Sequence, residues 1–420
     1  MLDLKFIKEH PDLVKEAIRK KRVRLDLDEL LRCEKVVAEF KRKIEGLQSE
    51  RNANAKKVSQ AKPEEREKWI LAGREIGAEI DKLKGDLAGA EQRLKEYLWI
   101  VPNIPAPDVP VGASDEENVE VRTWGVPRQF DFPFLNHVDL LAKNDWAELA
   151  RIANVSGSRS YALKNEMVEL ELALIQIALK KARAHGFQLL TVPSLVREQA
   201  LYGTGHFPEG REQAYHLPAD QLYLAGTAEV PINSLHAGEI LSEQDLPLLY
   251  AGFSPCFRRE AGSAGRDVRG LVRVHQFYKV ELFVICKNDP QESLSWLYKL
   301  LSIAEEIVQS LELPYRVIEC CTGDMGAGKV KMFDIETWVP SESKYRETHS
   351  CSALHDWQAR RTQVRYRTVG GTVEYCHTLN NTAIATPRIL VPFLENHQRA
   401  DGTVYLPAPV RPYFDGRDAI

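Results

Sequence analysis

Apolar residues recur three and four positions apart through Leu30, Cys33, Val37, Phe40, Ile44 and Leu47. That spacing is a heptad seam, which a helix holds on one face. A second seam runs through Trp69, Gly73, Ile76, Ile80, Leu83, Leu87, Ala90, Leu94 and Tyr97. Between them lies Lys62-Pro63-Glu64-Glu65. Proline is accepted in the first turn of a helix and not in its interior, so the chain turns here. The pattern predicts two antiparallel helices of about 33 residues each, reaching roughly 50 Å. Gly46, Gly73, Gly77, Gly85 and Gly89 interrupt them. Each costs about 1 kcal/mol against alanine, so the hairpin is expected to bend.

The proline-rich stretch Val101–Val121 can continue neither helix and reads as a linker. Beyond about Phe130 the pattern mixes helix and strand. Glu166–His185 is an amphipathic helix closed by Gly186. Short β-like runs cover Phe187–Val192, Leu222–Ala225, Leu248–Arg258, Val272–Ile285, Tyr315–Cys320, Phe333–Val339, Val364–Arg367 and Thr372–Leu379. Crossover helices do not separate them regularly, which favours a largely antiparallel sheet flanked by helices. The expected class is therefore α+β: a helical arm over 1–100, a linker over 101–129 and a mixed domain over 130–420.

Composition narrows the choices. In 420 residues, 44% of them apolar, no run approaches the length of a membrane span, and the charged N-terminus lacks the apolar core of a secretory signal. A cytoplasmic enzyme is expected. The seven cysteines have no C-x-x-C pair and no zinc spacing, so no zinc is expected. A net charge of −4 argues against a globally basic nucleic-acid binder, and any RNA contact must be local. One local surplus exists. Arg32, Lys35, Lys41, Arg42, Lys43, Arg51, Lys56 and Lys57 face only Glu34, Glu39, Glu45 and Glu50 on the first arm helix. A spacer coiled coil and an RNA-binding limb both remain open on this evidence.

Three segments carry candidate chemistry. Gly323–Lys329 fits G-x-x-x-x-G-K, but Val330 stands where a phosphate loop needs Ser or Thr, and a strand-like run follows instead of a helix. It is set aside. Phe257-Arg258-Arg259-Glu260 ends one β-like run, a glycine-rich basic loop with Arg266 and Arg269 follows, and Val272-Arg273-Val274-His275-Gln276-Phe277 opens the next. That hairpin offers arginines to phosphates and an aromatic face to a base. In Asn380–Arg388, Thr386 suits a helix N-cap and Pro387 the first helical position, which would put Arg388 in the first turn; Pro392 should then kink that helix.

In order along the chain these segments resemble the signature motifs of class II aminoacyl-tRNA synthetases. Ala184–Pro193 resembles motif 1, the helix and strand of a dimer interface; Phe257–Phe277 resembles motif 2; Thr382–Arg388 resembles motif 3. Within that class the chain is similar to the bacterial seryl-tRNA synthetase family over essentially its whole length. The arm, Asn118–Gly125, Val155–Tyr161, Gly203–Pro208, Gly226–Glu229 and Arg346–Ser352 carry the likeness. Ala383, Ala385 and Pro387 depart from the usual motif 3 pattern, while Arg388 is retained.

The resemblance implies ATP-dependent activation of L-serine and its transfer to serine tRNA, with the selenocysteine tRNA as a further acceptor. Arg258 and Arg388 would be catalytic. Arg258, Arg259, Glu260, Arg273, Val274, Phe277, Glu347, Thr348, His349, Ser350 and Arg388 would hold ATP, and Glu347 with Ser350 would hold Mg²⁺. Thr227, Ala228, Glu229, Arg258, Glu281, Asn380 and Thr382 would form the serine pocket. Arg51, Lys56, Lys57, Arg266 and Arg269 would touch tRNA, bound across a homodimer. His206, His275 and His349 read as structural. A related class II ligase and an inactive RNA-binding paralogue are the competing readings; the first lacks its Cys/His zinc site here, and the second conflicts with the full set of charged residues.

Overall fold

The computed structural model describes all residues but Ala264, Arg266 and Val268, so the Arg266 expectation lies outside the described residues. The chain divides into two compact units: Leu2–Arg19 with Val23–Val101, and Pro102–Ile420 with Met1 and Lys20–Arg22.

The first unit is dominated by the helices Leu27–Gln60 and Pro63–Ile100. The Asp26 side chain caps the first by accepting from the backbone N–H groups of Asp28 and Glu29, and Pro63 opens the second as expected. Leu30, Val37 and Ile44 of the first seam and Ile80 and Leu94 of the second are buried, with the other seam positions half-buried. Near the tip the seam turns polar. Asn54 is buried, and its amide donates to the Trp69 carbonyl at 2.6 Å. A Cβ on Gly73 would sit 3.0 Å from that amide nitrogen, which accounts for one arm glycine; Cβ atoms at Gly46, Gly77, Gly85 and Gly89 would meet nothing within 4 Å.

The second unit is built on an eight-stranded sheet. Its strands are β1 (Val119–Trp124), β2 (Gln188–Thr191), β3 (Leu248–Phe257), β4 (Gln276–Cys286), β5 (Tyr315–Glu319), β6 (Lys331–Val339), β7 (Lys344–His355) and β8 (His377–Thr386), in the order β1-β5-β6-β7-β8-β4-β3-β2. Every pairing is antiparallel except β2 with β3. The helices Glu166–Ala184 and Pro290–Ser310 bury their apolar faces with alternate residues of the central strands, including Val280, Leu282, Val284 and Leu379. Gly186, at φ +86°, follows the first helix as the sequence indicated.

Several details differ from expectation. The stretch read as a linker contains β1, the edge strand on β5. β7 was read only as a motif, because its sequence KYRETHSCSALH does not alternate; its second half is buried on both faces, which removes the period-2 signal. Residues 272–275 belong to the loop rather than to β4, and the Thr372–Leu379 run breaks at Cys376, with β8 continuing to Thr386. Thr386 thus ends a strand and caps no helix. The helix begins at Leu390, which places Pro392 in its first turn, where N–H groups have no intrahelical partner and proline is tolerated.

Candidate active site

β3 and β4 run side by side in register from Leu248↔Ile285 to Phe257↔Gln276. Alternation therefore points Phe277, Lys279 and Glu281 to one face, opposite the one that Val280, Leu282 and Val284 bury in the core. β8 lies on the other side of β4, with Glu281 directly across from Thr382. A bulge follows at Ala383, and Asn380, Thr382, Ala385 and Thr386 all reach the same face. On β7 a second bulge, at Thr348, flips the alternation, so Glu347 joins Ser350 and Ser352 on that face. The result is a cavity of about 870 Å³ floored by the sheet and walled by the loop between β3 and β4. A neighbouring hollow of about 530 Å³ shares Val272, Arg273, Glu347 and Arg388 with it.

At one end of the strands the cavity is cationic. Arg258 leaves the end of β3, its backbone tied to His275 by an N–H···O bond of 2.9 Å, and its guanidinium lies 5.2 Å from the centre of the Phe277 ring. Arg273 donates to Glu260 at 2.5 Å and lies 3.8 Å from Asp267. Arg388 donates to the carbonyls of Val272 and Glu347 at 3.0 and 3.2 Å and lies 3.7 Å from the Glu347 carboxylate. Burial lowers the Arg388 pKa, opposed by Glu347. Glu347 and Ser350 offer hard oxygen donors to this end, the donor type Mg²⁺ requires.

Further along, the cavity is acidic and enclosed. Glu281 and Lys279 form a buried ion pair. Burial raises the Glu281 pKa, and Lys279 opposes the shift. Glu229 accepts from the Gln358 amide at 2.7 Å, while Gln358 also donates to Thr204 O at 3.2 Å and accepts from the Thr378 hydroxyl at 2.7 Å. Gln358 is fully buried and fixed by Thr204 and Thr378, so its amide sets the orientation of Glu229. The Trp357 ring beside it is approached by two glycines. Cβ atoms at Gly205 and Gly328 would come within 2.4 and 2.6 Å of it, and Gly205 adopts φ +84°.

Most residues named from the sequence line this one cavity: Thr227, Glu229, Arg258, Glu260, Arg273, Val274, Phe277, Glu281, Glu347, Thr348, Ser350, Asn380, Thr382 and Arg388. Three do not. Arg259 turns outward to the Glu212 carbonyl at 3.3 Å. Ala228 is packed in a core cluster with Ile232 and Phe283. His349 lies on the buried face of β7, where burial holds its pKa down at about 4. Arg51, Lys56, Lys57 and Arg269 are exposed, and the Lys57 ammonium stands 4.6 Å from the Trp69 ring centre. Lys279, Gln358, Trp357 and Lys329 were missed. Lys279 had a signal, since it is two residues from Glu281 on a strand; Gln358 and Trp357 reach the site only through tertiary packing.

Arginines on the ends of adjacent antiparallel strands, joined by a basic loop, define the catalytic core of a class II aminoacyl-tRNA synthetase. Residues 215–397 match the family model described as tRNA synthetase class II core domain (G, H, P, S and T), and residues 1–105 match the seryl-tRNA synthetase N-terminal domain. A serine–tRNA ligase of Deinococcus radiodurans is 57% identical over 420 residues, covering 100% of this chain and 99% of its own. The chain belongs to the serine–tRNA ligase family, which are ATP-dependent aminoacyl-tRNA ligases. Among solved structures, that of seryl-tRNA synthetase from Pyrococcus horikoshii complexed with ATP matches with TM-score 0.92 and 41% identity over 100% of this chain and 99% of that one. The cytoplasmic serine–tRNA ligase of Naegleria fowleri in complex with AMP matches with TM-score 0.87 and 29% identity over 100% and 98%.

Proposed function

We propose that the cavity binds L-serine at its acidic end and ATP at its cationic end, and joins them before RNA enters. The serine carboxylate attacks the α-phosphorus of ATP; the adenylate forms and pyrophosphate leaves. A terminal ribose hydroxyl of serine tRNA then attacks the seryl carbonyl, an ester forms and AMP departs. The nucleophile of the first step is already an anion, so the protein's task is positioning and charge stabilisation rather than proton removal. Arg258 bridges the α-phosphate and the serine carboxylate. Phe277 supports the adenine with Glu260 and the Val274 backbone at its edge, and Arg273 and Arg388 take the distal phosphates. Glu347 and Ser350 would hold Mg²⁺, which would neutralise phosphate charge when bound.

The observation that carries the serine assignment is the register pair Glu281↔Thr382 beside the Lys279 ion pair. It is a small polar pocket built around a hydroxyl. A site that hydrogen-bonds a hydroxyl rejects the analogue lacking it by about 10⁴–10⁵. Thr227, Glu229 and Asn380 complete it, with Glu229 on the ammonium group. We also propose a homodimer. Val168 and Leu172, four residues apart on the Glu166–Ala184 helix, are 40% and 55% exposed, and β2 is an edge strand, so the motif 1 segment presents an uncovered apolar face. The arm grips the tRNA and delivers its end to the partner's cavity in the cytoplasm, and the selenocysteine tRNA is a further acceptor. No helix among the described residues is long and apolar enough to cross a membrane. ATP–pyrophosphate exchange across the amino acids tests the reading. Serine should support exchange, with alanine and threonine at least about 10³-fold weaker; equal exchange with threonine would overturn it.

A further inference from the structure

The G-x-x-x-x-G-K segment set aside on sequence grounds lines the same cavity. Gly326, Ala327, Gly328 and Lys329 form part of its wall, at the end away from the arginines. The sheet register fixes that separation. Lys329 lies two residues before Lys331, which pairs with Ala353 of β7, whereas Glu347 pairs with Glu336, five residues further along β6, roughly 17 Å at the rise of a strand. Arg388 follows Thr386, at the Glu347 end. The loop is held in place. Lys21 is buried, and its ammonium donates to the carbonyls of Gly326 at 3.3 Å, of Ala327 at 2.9 Å and of Lys329. The close approach of Gly328 to Trp357 seats its other side.

Among the described residues five cations line the cavity: Arg258, Arg273, Lys279, Lys329 and Arg388. Arg273, Lys279 and Arg388 each face a carboxylate. Arg258 and Lys329 are the two without a carboxylate partner among the described residues. Arg258 stands at the ATP end. Lys329 is half-buried and starts from the opposite end of the strands. Beyond ATP and the serine carboxylate, which the proposed function gives to the arginines, the anion that must enter this cavity is the RNA acceptor, whose terminal phosphodiester accompanies the attacking ribose.

We propose that Lys329 binds the terminal phosphate of the RNA acceptor and so positions the ribose hydroxyl for the transfer step. This rests on the ligase reading above. It gives the loop a function unlike that of a nucleotide phosphate loop: one ammonium in the cavity wall, with its backbone pinned by Lys21.

The test separates the two half-reactions in the full-length enzyme. For Lys329→Gln, serine-dependent ATP–pyrophosphate exchange should stay within about twofold of wild type, which also reports a folded site. Single-turnover transfer from preformed seryl-adenylate to tRNA should slow at least about tenfold, the factor worth 1.4 kcal/mol. Its tRNA affinity should fall less steeply with salt, by about 0.7–0.9 in the log–log slope, as loss of one phosphate contact requires. Lys329→Arg should regain most of the transfer rate. Wild-type transfer and salt slope in Lys329→Gln would overturn the inference, as would exchange falling in parallel with transfer. Wild-type enzyme that exchanges with serine yet charges no tRNA would overturn the ligase reading and this inference with it.

Discussion

At the scale of single residues, charge decides the chemistry. No salt bridge ties Arg258 to a carboxylate among the described residues, and its guanidinium lies over Phe277, available to phosphate. Arg258→Ala should lower serine-dependent exchange by at least about 10²-fold, the usual effect of removing one charge-stabilising donor; near-normal exchange by a folded variant would contradict its role. Glu281 is buried opposite Thr382. Glu281→Ala should raise the KM for serine far more than that for ATP, and the reverse pattern would mean the pocket is misassigned. Burial also sets a pH dependence. His377 is held down at about 3 and His397 at about 4, mainly by desolvation, against about 6.5 when unfolded. Both are neutral in the fold and gain protons on unfolding, so their contribution is complete above about pH 6.5 and is lost as pH falls towards 4. Thermal unfolding at pH 7.5 and 5.0 should show this loss, reduced in His377→Gln; an unchanged pH slope in that variant would count against it. Sequence named Arg258 and Arg388 from motifs that survive in one dimension, and Glu281 and Thr382 through the family resemblance alone. It did not yield Gln358, whose partners Thr204, Glu229 and Thr378 come from three other elements.

At the scale of elements, glycines show where close packing rules and where it does not. Gly205 presses on Trp357 and has φ +84°, so Gly205→Ala meets both overpacking and a left-handed backbone, together about 2 kcal/mol or more. A lower Tm and a higher KM for serine should follow. Gly46 has open space within an exposed helix, so Gly46→Ala should stabilise the arm by up to about 1 kcal/mol. Equal Tm shifts in the two variants would refute this contrast. The arm was legible because a heptad seam repeats for many turns and Pro63 marks its turn. β4 was legible because one face is apolar and the other is not. β7 was illegible because its second half is buried on both faces among polar partners. The bulges at Thr348 and Ala383, which aim Glu347 and shift the β8 residues after Thr382, leave no mark in the sequence pattern.

At the scale of the whole molecule, the two units have separable tasks. The cavity lies in the sheet unit, and the arm's seam is satisfied within the hairpin, which leaves its charged outer faces exposed; the proposed reading gives those faces to RNA. Deleting Leu30–Leu98 should leave exchange largely intact and abolish charging of tRNA. If, as proposed, the arm of one subunit serves the cavity of its partner, a heterodimer of one armless subunit and one Arg258→Ala subunit should regain transfer; a folded heterodimer without activity would refute delivery across subunits alone. The central claim, that this cavity activates serine and gives it to its own class of tRNA, is tested most directly by ATP-dependent attachment of labelled serine to fractionated tRNA. Label should appear on the serine acceptors and vanish in Arg258→Ala. Label on tRNAs for other amino acids at comparable rates, or none on any fraction while exchange proceeds, would contradict it.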